Sequence, residues 1–207
     1  MRSNFRNIGL ATLVCGLIGA CAPETAVVKL YEDPEQQSKT YKRLLIVDVA
    51  SNHSDQQLFE NAIVTRLKQE QVEAIPSYTM LDTSEGVTQD KINEVGDRVE
   101  ADGILIVHIA SLDTTMDTVK GRENLKTTCR GGDPVDFFLY DHEFIKEPDS
   151  VKVAHTVAVI SNLYDGDSHE RVWSIQSTCF EKASMPEVVR EEAIAITRQL
   201  RLDELID

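Results

Sequence analysis

The chain has 207 residues, 42% of them apolar, and a formal net charge of −14. That size suits one ordinary domain plus a short appendage, and so acidic a chain is repelled by nucleic acid and by anionic lipid head groups. The acidic residues are spread along the chain without a long run of one sign, which reads as a solvated surface.

Residues 1–20 come first. Arg2 and Arg6 form a basic head, and from Ile8 to Ala20 there is no charge. The apolar run is too short for a bilayer core, which takes roughly 20 helical residues, and it reads as a secretory signal peptide. Its exit, Ile18-Gly19-Ala20-Cys21, resembles the lipobox of bacterial lipoproteins. That resemblance implies cleavage before Cys21, a diacylglyceryl group on its thiol and a further acyl chain, such as palmitate, on its new amine. Several acyl chains at about 0.8 kcal/mol per buried methylene hold a protein at a membrane almost permanently. Cys15 follows the bulky Leu13 and Val14 and does not fit the pattern. Ala22, where an aspartate favours retention at the inner membrane, implies the periplasmic face of the outer membrane.

Residues 21–41 are polar, carry two prolines and read as an extended, mostly disordered tether. The domain, 42–207, opens with KRLLIVDVA, where Leu44 to Val49 predict a strand covered on both faces. Ser54 with Gln57 predicts a capped helix, with Leu58, Phe59, Ala62, Ile63 and Leu67 as its apolar stripe. VEAIPSY is a weaker strand, and Pro76 places it at an edge. Thr88 caps the next helix, Val87 and Ile92 form a hydrophobic staple, and Ile92, Val95 and Val99 are the buried face. After Gly103, ILIVHIASL predicts a central strand, with His108 a structural residue inside it.

From about 113 to 149 the periodicity lapses. Gly131, Gly132 and Pro134 signal turns, and Phe137, Phe138 and Tyr140 are candidate interaction residues. An insertion of this length in a compact domain is often functional. VKVAHTVAVISNLYD and ERVWSIQSTCFEK then alternate and are joined by DGDS, which predicts a hairpin. In an oxidising export compartment Cys129 and Cys179 read as a disulfide pinning the insertion to the sheet. Its loop of about 50 residues would contribute roughly 4 kcal/mol. Two unrelated buried thiols remain the alternative. Half of a metal site has no C-x-x-C or H-x-x-x-H spacing behind it. Ser184 with Glu187 caps a last helix striped by Val189, Ala193, Ile196 and Leu200. The predicted class is α/β (α+β): a mixed sheet in the order β-α-β-α-β-insertion-β-β-α, helices packed on it.

Four stretches carry a family likeness: LLIVDVA, ADGILIVHI, NLYDGDSHERVWS and the last helix. Together they resemble a group of bacterial envelope proteins that includes the amino-terminal domain of TolB, the curli-secretion lipoprotein CsgG and the lipoprotein activators of penicillin-binding proteins. The likeness is one of pattern and implies a domain that acts by binding other proteins, with no catalytic residue to carry over.

No G-x-S-x-G, H-E-x-x-H or G-x-x-x-x-G-K-[ST] is present. Neither a cofactor nor a metal is implied. The favoured function is a lipid-anchored, non-enzymatic accessory in envelope assembly or maintenance, with an envelope protein as partner and no nucleic acid. The alternative is small-ligand binding or hydrolysis at the carboxyl end of the first strand, where Asp48, Asn52 and His53 gather. Self-assembly into a ring or pore is disfavoured because residues 113–149 show no clear long alternating hairpin.

Overall fold

The computed structural model describes residues 25–34, 39–50, 52–81, 83, 86–129 and 140–207, with backbone only at 127–129 and 140–142. The fold is mixed α/β. Six strands form one sheet in the order β1-β8-β7-β4-β2-β3, and two more form a separate pair, β5-β6. In chain order they are β1 (Thr25–Glu32), β2 (Arg43–Asp48), β3 (Glu73–Pro76), β4 (Gly103–Val119), β5 (Glu123–Cys129), β6 (Tyr140–Lys146), β7 (Ser150–Asp165) and β8 (Arg171–Lys182). The helices are α1 (His53–Gln69), α2 (Gln89–Arg98) and α3 (Met185–Leu202). β2 runs parallel to β3 and β4, while β4-β7, β7-β8 and β8-β1 are antiparallel.

Alternation within β2 sorts its side chains to the two faces of the sheet. Leu44 and Ile46 join the larger core with Phe59, Ile63 and Leu67 of α1 and Val189, Ala193, Ile196 and Leu200 of α3. Leu45 and Val47 point the other way, onto Ile92 and Val95 of α2. The continuous apolar run thus marks a strand with helices on both sides, as does the first part of β4, where Leu105 and Val107 join the larger core and Ile104 packs on the α2 side. Trp173 of β8 is fully buried, and its Nε1–H donates to Asp203 just beyond α3 at 2.7 Å.

The motifs around Gly103 and Gly166 are tied together at the opposite end of the sheet from the arm described below. The Asp102 carboxylate accepts from Lys42 N and Arg43 N. Asp165 accepts from Asp167 N and Ser168 N in the β7–β8 turn and pairs with Lys39 Nζ at 2.5 Å. A Cβ on Gly166 would lie 2.2 Å from the Ala101 carbonyl, so the close approach of turn and loop requires glycine there.

Several expectations are revised. Residues 25–32, read as tether, form the edge strand β1, paired with β8 from Thr25↔Cys179 to Glu32↔Trp173. Lys29 fixes it by reaching Asp203 at 2.6 Å, and Val27 packs on the core. The helix cap is Asn52 rather than Ser54: its Oδ1 accepts from Asp55 N at 2.9 Å. Leu58, one position off the true stripe, is exposed. The segment after residue 112 is no irregular insertion, because β4 and β7 run on as a two-stranded ribbon to Val119↔Ser150.

The leader, Cys21 and residues 130–139 lie outside the described residues. The disulfide is not formed at Cys179, which is a fully buried free thiol. The β8 register aims it into the core opposite Val157, while Cys129 ends β5 in the separate pair of strands.

Candidate functional site

The carboxyl end of β2 gathers polar groups, as its sequence suggested, but divides them between two jobs. Asn52 is the α1 cap, and the exposed His53 ring stands edge-on to Tyr78 with centroids 5.9 Å apart. Neither lines the cavity formed around Asp48. The buried Glu60 of α1 completes that frame. Its carboxylate accepts from Asp48 N, Gln56 Nε2, Ser77 Oγ and Tyr78 N at 2.7–3.1 Å. Burial raises the Glu60 carboxyl above its ordinary value, with the four hydrogen bonds acting against that rise. Gln56 and Glu60 fall on the same stripe as Ile63 and Leu67, so the signal in the sequence was a pair of polar residues on an apolar face. Thr83 closes the loop by donating to the Asp48 carbonyl at 2.9 Å.

The Asp48 side chain does something different. It is 3% exposed, yet its carboxyl has no hydrogen-bond partner among the described residues. Burial, and then the negative charges of Glu60 and Asp55, push it up to about 8. It lines a cavity of about 330 Å³ between β2, β4, α1 and the start of α3. Phe59, Leu58, Ile109 and Met185 form apolar walls, and Asp55 is the second carboxylate.

The second distinctive feature is the arm. β2 pairs with β4 only through Val107, and β8 pairs with β7 no farther than His155, so the ribbon beyond has two open edges. One face carries Leu112, Met116, Val151 and Val153; the other carries Asp113, Thr115, Asp117 and Lys152. Met116 is 72% exposed. The ribbon continues into β5-β6 through a break at 120–122 and 147–149, held by Gly121 N on the Asp149 carboxylate and Glu147 N on the Arg122 carbonyl. Leu125 and Phe144 face each other there, with Phe144 76% exposed. Tyr140 begins β6, and Phe137 and Phe138 belong to the undescribed connection between β5 and β6. The structure thus places Asp48 and Asp55 on one cavity and Tyr140 at the start of β6, while Phe137 and Phe138 lie outside the described residues.

No protein-family model matches the chain, and no curated protein matches it in sequence. Among solved structures, it is similar to a PelC dodecamer from Paraburkholderia phytofirmans, at 12% identity over 88% of this chain and 99% of that one, TM-score 0.46. Lipoprotein GNA1162 from Neisseria meningitidis is 12% identical over 77% and 98% of the two chains, TM-score 0.39. A neuraminyllactose-binding hemagglutinin homolog from Helicobacter pylori is 13% identical over 85% and 95%, TM-score 0.37. At these values nothing about this chain's function follows from them.

Proposed function

We propose that this chain is a bacterial lipoprotein, anchored through Cys21 to the periplasmic face of the outer membrane. There it acts without catalysis as an envelope accessory that engages a protein partner through the arm. The observation that carries this reading is the arm itself. Two-stranded ribbons are marginal in water on their own, and this one leaves an apolar face and both edges open. Such edges are templates for pairing with another chain. Phe137 and Phe138 in the connection at its far end, together with Tyr140, are the proposed anchors for the partner.

The register supports the placement. Thr25 lies opposite Cys179, Cys179 opposite Val157, and Val157 opposite Leu112, where the arm leaves the sheet. The chain therefore enters the domain level with the base of the arm. The four residues from Cys21 to Thr25 reach at most about 14 Å. A lipid on Cys21 would hold that base close to the bilayer and present the arm along it.

Site-specific photo-cross-linking in cells tests this reading. A photoreactive residue at Met116 or Phe144 should yield one discrete heterologous adduct, and the same residue at Asp167, on the turn at the opposite end, should yield none. Adducts equally frequent from all three positions would contradict it. The open edges also favour a second copy of the chain as the partner. A monomer by sedimentation of the purified, detergent-solubilised protein would eliminate that variant.

A further inference from the structure

We infer that the cavity at the carboxyl end of β2 is a binding site for a small aliphatic ammonium ion. The argument rests on what the walls offer. Asp48 is buried, is part of the cavity wall and its carboxyl has no hydrogen-bond partner among the described residues; a buried polar group without a partner is costly unless something arrives to meet it. Asp55 supplies a second, exposed carboxylate, which also accepts from Asn52 Nδ2 at 2.6 Å. Among the described residues no Lys, Arg or His lines the cavity. The rest of the wall is hydrocarbon from Leu58, Phe59, Ile109 and Met185. Acceptors without donors on an apolar wall select a ligand with N–H donors, positive charge and an apolar body. Anions are rejected by the same groups. The volume sits at the low end of the roughly 300–1,000 Å³ usual for ligand clefts, which limits the ligand to a small molecule.

Among the described residues, the charged groups acting on Asp48 are Glu60 and Asp55, both from α1. β4 contributes Val107 and Ile109, and α3 contributes Met185 and Val189, none of them titratable. An ammonium ion beside Asp48 favours the ionised carboxylate, so binding releases a proton near neutral pH and tightens as pH rises from 6 to 8. The site is independent of the arm and of the anchor.

The probes are hexylammonium chloride, hexanol and sodium hexanoate, added to the purified protein at pH 8. Hexylammonium should raise the thermal midpoint in a concentration-dependent way and shift the amide resonances of residues 48–50 and 109. Hexanol should do so at least tenfold more weakly, and hexanoate not at all. Asp48→Asn should lose the preference for the amine over the alcohol, and Asp55→Asn should weaken it. Leu58→Lys, at an exposed position on the cavity wall, should abolish amine binding by placing a resident ammonium there; this variant decides the matter if Asp48→Asn does not fold. Equal responses to hexylammonium and hexanol in the parent protein, or a preserved preference in Asp48→Asn or Leu58→Lys, would overturn the assignment.

Discussion

Glu192 enters the core from α3 with Ser177 of β8 donating to its Oε2 and no partner for Oε1 among the described residues. Burial, and then the neighbouring Glu191, push this carboxyl up to about 7. A raised carboxyl means that the folded chain holds a proton which the unfolded chain gives up at about 4.5. Stability from this group is therefore fully present below that value and falls as pH climbs through about 7. Asp165 acts in the opposite sense. Lys39 and the turn amides outweigh its burial and lower it to about 2, so its contribution is lost as pH falls from about 4 toward 2. The thermal midpoint should be highest between about pH 4 and 5 and decline toward pH 8. Glu192→Gln should make the decline on the neutral side shallower, removing a penalty on the order of 3 kcal/mol at pH 8, while the raised carboxyls of Asp48 and Glu60 keep the rest of it. A midpoint that rises from pH 5 to 8 in the parent protein would contradict this. Gly166→Ala should cost a few kcal/mol, since the added methyl meets the Ala101 carbonyl and the turn must shift; denaturant unfolding measures it.

At the scale of elements, the legible parts were those whose signals are local. Thr88 marks where α2 begins, because a cap is set by residues within one turn; Ser184 stands at the start of α3 as expected, but the capping box is not formed, since its side chain makes no capping bond and Glu187 accepts from Ala183 N instead. β2 was readable because helices on both faces make its whole sequence apolar. β1 was missed because an edge strand with one paired side shows little periodicity; its fixation depends on Asp203, far away in sequence. The Glu60 frame was missed for the same reason, since Ser77 and Tyr78 come from another element. The arm was missed because neither of its faces packs on the core, so its alternation is diluted by Thr and Asp. Lys29→Ala should loosen β1: hydrogen exchange of the β1 amides should speed up while β4 and β7 near Leu105 and Leu163 stay protected. Unchanged exchange in β1 would show that its backbone pairing alone suffices. Phe137→Ala with Phe138→Ala should reduce partner capture while leaving the thermal midpoint within about a degree. A lost unfolding transition would instead make them core residues.

At the scale of the whole molecule, the chain divides into a packed mixed sheet and an arm that packs on nothing described. The sheet fixes where the arm begins and brings the start of the domain to the same level. The proposed lipid then gives that arrangement a direction relative to a membrane. An acidic domain has no electrostatic attraction to anionic head groups, so its residence there depends on the anchor. Intact-mass spectrometry of the protein extracted from bacterial membranes tests this most directly. The account predicts a chain beginning at Cys21 and carrying three acyl chains. A product that retains residues 1–20, or one with an unmodified thiol at Cys21, would contradict it.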